Sequence, residues 1–499
     1  MEMFQFDLLS LFTWSNLFAI LLGTFAGMLI GALPGLGGPV ALSLLLPVTY
    51  TMSPLASILL LLAAYQSAEY GGSISSIILG IPGGPAAVAT TLDGHTFAKK
   101  HSPNKALSYS LLASTIGGIF GALLLIFLTV PIADFSIRMS DPEYFLLGIM
   151  GLIAVSVISS KDISKSMIAV VLGLMAGTIG MDSLTGSQRF TFGRAELVDG
   201  LGLTMLMVSI FAFAEVFSMI STELKKKNKT SQNGLDTTKG TGRLSMQEIK
   251  AVAKPISIGS IIGSIIGVLP GLGAGAASWF AYSAAKKTSK DPESFGNGNP
   301  EGISAPEASN NASVGGALIP LLALGIPGSA SIAIVSGAFI IHGIQPGPNI
   351  FNTNGDLVYG IFYGFLLTTI VMYIVGRVFT NAYAKILKVP SYILITGVLF
   401  LSIIGIYSAS LLFFDLWIGL VIGLVFFFLK ALNFSVASFS LEFILSPIIE
   451  ISLRRSLILS DGSFGIFLER PISVAIIVII VLMVAYSIFS LRKSKKATT

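Results

Sequence analysis

The sequence predicts an all-α polytopic membrane protein with about 10–12 transmembrane helices in two inverted repeats with broken or re-entrant helices. Three observations lead to this prediction. Of the 499 residues, 53% are hydrophobic and only 11% are charged, and the mean hydropathy is +0.85, whereas soluble domains carry about 25% charged residues. A Gly/Pro-rich motif occurs twice at matching places in the chain. The charges of the loops alternate with opposite bias in the two halves.

The repeated motif is Gly31–Gly37, GALPGLG, which returns 236 positions later as Gly267–Gly273, GVLPGLG. A second pair, LGIPG, ends at Gly83 in the first half and at Gly328 in the second half. Proline removes a backbone donor and glycine permits tight turns, so each motif predicts a break in a membrane helix. Matched breaks in two halves indicate a binding site between internal repeats. The residues expected to form the breaks are Pro34, Pro82, Gly83, Pro270, Pro327 and Gly328.

Taken in order, the chain divides into four parts. Residues 1–222 form the first transmembrane repeat, with apolar runs near 8–33, 38–50, 54–80, 105–131, 143–158, 165–181 and 199–222. Residues 223–254 form a basic cytoplasmic linker. Residues 255–470 form the second repeat, with runs near 255–269, 272–285, 312–342, 356–384, 389–409, 412–429 and 433–450. Residues 471–499 form a final helix and a basic cytoplasmic tail. The shorter runs are expected to be half-helices.

Loop charges predict the orientation of the halves. The loop after the first LGIPG carries Lys99, Lys100 and Lys105, whereas its counterpart, 345–354, carries no Lys or Arg. The next loops reverse this bias. By the positive-inside rule the repeats are inverted, with the N-terminus outside and the linker and C-terminus cytoplasmic. Three arginines, Arg454, Arg455 and Arg470, fall outside in this arrangement and count against it. The N-terminus lacks the basic region of a cleavable signal peptide, so the first span is expected to remain.

Composition argues against several other classes of protein. The chain has no Cys and only three His, which excludes thiolate chemistry and makes a His-built metal site unfavourable. The linker accounts for the whole net charge of +5, so nucleic-acid binding is not expected. An intramembrane enzyme needs a nucleophile with a base, or a metal site, and the sequence shows neither an H-E-x-x-H motif nor a pair of membrane aspartates. We therefore expect no enzyme and no cofactor.

Polar residues near the breaks are the candidate site. Glu69 lies in an apolar run, where an ionisable group is costly unless it is paired or hydrated, so it is either functional or a packing carboxyl paired to a neighbour. In the second half, Ser304 and Glu307 fit a helix-capping box. Asn310 and Asn311 follow on the helical face of Glu307, and their amide oxygens suit Na⁺. The tentative Na⁺ ligands are Asn310, Asn311 and Glu69.

The breaks themselves are expected to bind an anion. A broken helix presents the N-terminus of its second half, whose free N–H groups and partial positive charge favour anions. Freed carbonyl groups of the other half can hold a cation. The residues expected to contact the substrate are Gly35, Gly37, Gly38, Ser73, Gly271, Gly273 and Asn310.

Four stretches, GALPGLGGPVALSLLLPVTY, YGGSISSIILGIPGGPAA with TLDGH, GISAPEASNNASVGGALIPLLALGIPGSAS and RFTFGRAELVDG, resemble the large membrane subunit of the tripartite tricarboxylate transporters, the TctA family. The resemblance covers roughly residues 15–490. It implies a multi-pass secondary transporter of the cytoplasmic (inner) membrane that imports di- and tricarboxylates such as citrate with a cation gradient, typically of Na⁺. It also implies two partners, a small TctB-like membrane subunit and an extracytoplasmic TctC-like solute-binding protein.

Two alternatives stay open at this point. The first is a carboxylate channel or facilitator without ion coupling, which would also be built from broken helices. The second concerns the coupling ion, since the sequence does not decide between Na⁺ and H⁺. The substrate, the oligomeric state and the choice between an elevator and a rocking motion are likewise not encoded in any motif.

Overall fold

A computed structural model describes residues 7–158, 163–225, 242–379 and 390–497. The protein is 81% helical, so the prediction of an all-α polytopic membrane protein is confirmed. One short antiparallel hairpin, β1 (Gly180–Met181) and β2 (Gln188–Arg189), is the only sheet of the described residues. Residues 226–241, which make up half of the basic linker, lie outside the described residues. The loop residues Lys161, Lys385 and Lys388 also lie outside them.

The first half contains α1 (Trp14–Gly31), α2 (Gly37–Leu45), α3 (Pro54–Leu79), α4 (Val88–Lys100), α5 (Pro103–Ser136), α6 (Asp141–Ile158), α7 (Ile163–Gly177) and α8 (Leu203–Lys225). The second half contains α9 (Met246–Val268), α10 (Gly273–Thr288), α11 (Pro300–Leu324), α12 (Ala330–Ile341), α13 (Ile350–Thr353), α14 (Gly355–Phe379), α15 (Ser391–Ser410), α16 (Phe413–Ala431), α17 (Val436–Leu459), α18 (Ile466–Glu469) and α19 (Pro471–Ala497). Short 3₁₀ turns precede α1 and α4 and extend α2.

Eight helices of the described residues are long and apolar enough to cross a membrane, namely α1, α5, α8, α9, α14, α15, α16 and α17. The helices α3 and α11, with 26 and 25 residues, are also long enough, but they carry the polar residues of the candidate site. The apolar stretches of α7, α12 and α19 are shorter. Half-helices were expected at the breaks, and α2 and α12 have the corresponding lengths of 9 and 12 residues.

Glycine stripes hold the first two long helices of each half together. An added Cβ at Gly27 of α1 would lie 2.2 Å from the Ala64 carbonyl oxygen of α3, and one at Gly263 of α9 would lie 2.1 Å from the Ser309 carbonyl oxygen of α11. Small residues are what allows helix backbones to approach this closely in a membrane protein. The full stripes are Gly23, Gly27 and Gly31 in α1, and Gly259, Gly263 and Gly267 in α9, each 236 positions apart.

The two pairs of breaks are joined in the same way in both halves. The Gly35 N–H donates to the Gly83 carbonyl oxygen at 3.1 Å, and the Gly271 N–H donates to the Gly328 carbonyl oxygen at 3.0 Å. The segment after LGIPG then folds back along its own helix, since Gly83 N–H donates to Gly72 O at 3.2 Å. The equivalent bond, from Gly328 N–H, goes to Ala317 O. Gly72 and Ala317 therefore hold equivalent places in the two halves, 245 positions apart.

The halves interlock through α3, α5 and α11. Added Cβ atoms at Gly117 and Gly121 of α5 would meet Ala308 and Ala312 of α11, so α5 and α11 run parallel. Along α3 the order is reversed, because Ser73 contacts Ser110 of α5 while Gln66 lies against Gly118. The helices α3 and α11, which hold equivalent places in the two repeats, are therefore antiparallel. Opposite directions are what inverted repeats require, and their orientation in the membrane stays a prediction.

Two peripheral bundles surround this centre. In one, α6, α7, α17 and α19 pack together, and in the other α8 packs with α15 and α16. Two of the three arginines that count against the predicted topology have acidic partners. Arg454 donates to Asp182 at 2.6 Å, Arg470 donates to Glu143 at 2.6 Å, and the guanidinium of Arg454 holds the pKa of the Asp182 carboxyl well below its usual range.

The predicted topology can be tested with cysteines placed in two exposed loops of the described residues. The helix α8 separates the hairpin loop from the linker, and Lys254 donates to the Thr288 carbonyl oxygen, which places the loop after α10 on the linker side. In this Cys-free chain we expect Ser183→Cys to react with an impermeant thiol reagent in intact cells and Glu293→Cys to react only after lysis. The reverse pattern would contradict the predicted orientation.

Candidate functional site

Helix starts from both halves gather around α3. The Cβ position of Gly37, at the start of α2, lies 3.7 Å from Gly84 Cα, and the Cβ position of Gly275, in the first turn of α10, lies 3.3 Å from Pro85 Cβ. The Tyr65 hydroxyl of α3 is 3.3 Å from the hydroxyl of Ser329, which caps α12. The starts of α2 and α10 thus contact the segment that leads into α4, and the start of α12 contacts α3. Their free N–H groups give the region an affinity for anions.

Glycine is required at four positions of the breaks. The φ angles are +86° at Gly35, +58° at Gly37, +87° at Gly271 and +64° at Gly273. These left-handed conformations cost about 1–2 kcal/mol for other L-residues. The surroundings of the four glycines differ. An added Cβ at Gly35 would lie 3.5 Å from Glu215 Oε1, whereas an added Cβ at Gly273 would have no atom within 4 Å among the described residues. The start of α10 is therefore the more open one.

Glu69 lies beside the first helix start. The Cβ position of Gly38 is 3.0 Å from Glu69 Oε1, so only a glycine lets α2 begin here without moving this carboxyl. Glu69 is partly buried, and its backbone carbonyl accepts the side-chain N–H of Asn310 at 3.4 Å. The structure therefore brings together Gly37, Gly38, Glu69 and Asn310, four of the residues predicted from the sequence.

An amide pair joins the two central helices. Asn311 Nδ2 donates to the backbone and side-chain oxygens of Gln66 at 3.1 and 3.0 Å, and Gln66 Nε2 donates to Thr369 Oγ1 at 2.9 Å. Gln66 and Asn311 are 245 positions apart, which is the same separation as the LGIPG breaks. The two repeats thus meet at equivalent residues, on α3 and α11.

Two buried amide oxygens near this pair have no partner among the described residues. They are Oδ1 of Asn310 and Oδ1 of Asn311, and both residues are fully buried. A buried carbonyl oxygen without a donor costs about 1–3 kcal/mol. Neutral oxygen atoms of this kind are suitable ligands for a hard cation. No group of three or more His, Cys, Asp and Glu side chains that could hold a metal ion occurs in the described part of the chain.

The expected capping box at Ser304 and Glu307 was wrong. Asn299 caps α11 by accepting the N–H of Glu301 at 2.8 Å, so the helix begins one turn earlier, and Ser304 donates to the Pro300 carbonyl oxygen. Glu307 lies inside α11 and is fully buried. Its carboxylate accepts hydrogen bonds from Thr90 at 2.5 Å, Ser110 at 3.1 Å and Ser114 at 3.0 Å.

Ser73 belongs to this hydroxyl group, and the structure does not place it at the helix starts. Its Oγ donates to the Tyr70 carbonyl oxygen at 2.8 Å and lies 2.6 Å from Ser110 Oγ. A substrate would have to displace these contacts to bind Ser73, whose role in binding stays a prediction. One signal for this cluster was visible in the sequence, since Ser110 and Ser114 lie four positions apart in an apolar run.

Asp93 of α4 is a structural residue that the sequence reasoning missed. It is fully buried, and it accepts the backbone N–H groups of Gly296, Gly298 and Asn299 at 2.8–3.0 Å and the Tyr282 hydroxyl at 2.8 Å. A carboxylate that satisfies several backbone donors is held firmly. Asp93 thereby ties α4 of the first half to the segment between α10 and α11 of the second half.

Comparison with known proteins gives three findings. A sequence model described as the tripartite tricarboxylate transporter TctA family matches residues 17–441. The chain is 34% identical over 486 residues to an uncharacterized 52.8 kDa protein in the TAR-I ttuC' 3'region of Agrobacterium vitis, covering 96% of this chain and 95% of the relative. It is also 34% identical over 227 residues to an uncharacterized protein in the TAR-II ttuC' 3'region of A. vitis, covering 46% of this chain and 94% of that relative. No solved structure matches.

Proposed function

The chain belongs to the tripartite tricarboxylate transporter TctA family, and from that premise we propose that it is the membrane-spanning permease subunit of a binding-protein-dependent system importing di- and tricarboxylates such as citrate. It is a multi-pass membrane protein and a subunit of a transporter rather than an enzyme. The proposal adds a cation gradient as the driving force, with Na⁺ as the coupling ion, and the cytoplasmic membrane as the location.

The observation that carries the proposal is the meeting of helix starts and unpartnered amide oxygens in one region. Helix starts favour the carboxylate groups of a substrate. The oxygens of Asn310 and Asn311, with the partly buried carboxyl of Glu69, supply hard ligands of the type that Na⁺ takes. A bound cation attracts the substrate anion and offsets the repulsion between that anion and the Glu69 carboxylate, so each ligand strengthens binding of the other.

The interlocked repeats support alternating access. The helices α3 and α11 run antiparallel and cross at the equivalent residues Gln66 and Asn311. Such an arrangement gives two conformations of similar energy, in which the site opens to one side of the membrane or to the other. Inverted repeats with broken helices at the centre are the usual architecture for this motion.

Two partners complete the proposed system. Family membership supports a small TctB-like membrane subunit and an extracytoplasmic TctC-like solute-binding protein. The exposed apolar faces of α15 and α16, which carry Tyr392, Phe400 and Trp417, can face either lipid or a membrane partner. The solute-binding protein would approach from the side opposite the basic linker.

Uptake into proteoliposomes tests the proposal. The chain is reconstituted with both partners, and labelled citrate uptake is measured with an inward Na⁺ gradient, with a pH gradient, and with neither. We expect accumulation above the outside concentration with the Na⁺ gradient and only with the binding protein present. Equilibration without accumulation, independent of both the gradient and the binding protein, would instead establish the channel or facilitator.

A further inference from the structure

A file of polar residues winds slowly along α17, and none of them belongs to the candidate site described above. Ser438, Glu442, Ser446, Glu450 and Arg454 occupy every fourth position of this helix. Residues four apart lie above one another on a helix. The first three are buried, with exposed fractions of 0%, 0% and 3%, while Glu450 and Arg454 are partly exposed. The file therefore runs from a buried section to an open end.

Glu442 is the central member of the file, and neither of its carboxyl oxygens has a hydrogen-bond partner among the described residues. The other buried glutamates of comparable depth have partners. Glu307 accepts hydrogen bonds from three hydroxyl groups, and Glu215 of α8 forms an ion pair with Lys430. A carboxylate buried without a partner is costly, and an ionisable residue within a membrane helix marks a functional position unless it is paired.

One neighbour flanks the file along its whole length. Lys165, at the start of α7, donates to the Leu432 carbonyl oxygen just before α17. Gly173 and Gly177 of α7 lie against Glu442 and Ser446, and Asp182 after α7 binds Arg454. Because Gly173 and Gly177 have no side chains, the backbones of α7 and α17 lie close together at these positions. The polar groups of α17 are therefore enclosed between two parallel helices.

The file spans most of the hydrocarbon layer. From Ser438 to Arg454 the helix advances by about 24 Å at 1.5 Å per residue. The hydrocarbon core of a bilayer is about 30 Å thick. Pro447 also lies in this stretch, and because it has no N–H, the Phe443 carbonyl beside Gly177 lacks its usual helical donor. That carbonyl adds a further acceptor next to Glu442.

The charged groups around Glu442 lie at the ends of the file. On α17 they are Glu450, Arg454 and Arg455, and on α7 the one charged residue is Lys165, about two turns before Gly173 and towards the Ser438 end. Beyond α7, Asp182 and Arg189 join the cluster at Glu450 and Arg454. Of the other members of this bundle, α6 carries Asp141 and Glu143, and Glu143 is paired with Arg470. None of these groups neutralises Glu442 directly.

We propose that Glu442 is a proton-binding site within this file, separate from the region of the helix breaks. A proton from a hydronium ion at the Glu450–Arg454 end forms an O–H bond on a carboxyl oxygen of Glu442 and leaves a water molecule behind. The reverse step releases the proton to water at the Ser438 end, and no electrons are exchanged. Ser438 and Ser446 support the transfer because each hydroxyl both donates and accepts.

The site has a structural connection to the centre. Leu441 and Leu445, on either side of Glu442, belong to the same apolar cluster as Ile326 and Ala333, at the second LGIPG break and in α12. A change in charge at Glu442 would alter how α17 packs against that break. A proton gradient could thus act on transport through α17, and this part of the inference rests on the proposed function.

Infrared difference spectroscopy tests proton binding without any transport. The purified chain is titrated between about pH 5 and about pH 9, a range that begins above the ordinary pKa of an exposed carboxyl group, about 4. The C=O stretch of protonated carboxyl groups is compared with that of Glu442→Gln. We expect a band that decreases as the pH rises and that is missing in the variant. Glu442→Asp should keep a titrating band at a shifted frequency, which guards against a folding defect. Glu293→Gln, which removes an exposed carboxylate outside the file, should leave the band unchanged.

Two results would overturn the proposal. A Glu442 band that is present but independent of pH would show a permanently neutral packing residue, and the absence of any Glu442 band would show a permanently ionised one. In proteoliposomes with a pH-sensitive dye inside, citrate-driven proton movement should fall by about tenfold or more in Glu442→Gln. If the wild type moves no citrate, the proposed function fails while the spectroscopic answer still stands.

Discussion

Replacing Gly273 by alanine is expected to leave a folded protein that binds and transports citrate much more weakly, and Gly37→Ala is expected to behave in the same way. Nothing lies within 4 Å of the Gly273 Cβ position, so the methyl group itself fits. What changes is the approach of a carboxylate to the start of α10, together with about 1–2 kcal/mol of backbone strain at φ +64°. An anion at a helix start is worth roughly 0.3–2 kcal/mol. Affinity for citrate should therefore fall by up to about 30-fold.

The control for backbone strain is Gly186→Ala. Gly186 has φ +69°, also has nothing within 4 Å of its Cβ position, and lies in the hairpin loop away from the breaks. Its variant should lose comparable stability and retain transport. Uptake and substrate-dependent thermal stabilisation are measured for all three variants. If Gly37→Ala and Gly273→Ala keep full stabilisation by citrate, these glycines serve packing or motion, and their assignment to the substrate site is withdrawn.

Asn311→Ala is expected to raise the Na⁺ concentration needed for half-maximal uptake by about tenfold or more, which corresponds to about 1.4 kcal/mol. The variant removes an amide oxygen that has no partner among the described residues, and it also removes two hydrogen bonds to Gln66. Asn310→Ala should show the same direction of change, because its Oδ1 is likewise unpartnered.

Thr369→Val separates a lost ligand from a damaged hydrogen-bond network. It removes the hydroxyl that accepts Gln66 Nε2 and leaves both asparagine oxygens in place. We expect a loss of about 0.5–1.5 kcal/mol in stability and an unchanged Na⁺ requirement. An unchanged Na⁺ requirement in a well-folded Asn311→Ala would remove Asn311 from the cation site.

The helix breaks could be predicted from the sequence because Gly and Pro act locally. Each LPGLG and LGIPG motif ends a helix where expected, and the glycines adopt the positive φ angles that make them necessary. Hydropathy sufficed for the fold class, since bilayer thickness fixes the length of the helices. The topology prediction rests on the lysines near Lys99, because orientation in the membrane depends on the charges of the loops and not on packing.

The contacts between the halves could not be predicted in this way. Glu307 fitted a capping box in its own segment, but Asn299 offered an earlier cap, and the partners of Glu307 come from α4 and α5, some 190–220 positions away. Asp93 likewise binds a loop some 200 positions further along. A single sequence records which residues are polar and not which distant segments satisfy them. The oxygens of Asn310, Asn311 and Glu442 that lack a partner among the described residues became visible only in the structure.

The central claim is that a carboxylate and a cation bind together at the region where the two repeats meet. Thermal unfolding of the purified chain is measured with citrate alone, with Na⁺ alone and with both, at constant ionic strength. We expect the unfolding midpoint to rise with citrate only when Na⁺ is present, and the combined shift to exceed the sum of the separate shifts, because coupled ligands stabilise each other. Equal stabilisation by citrate with and without Na⁺ would contradict the account.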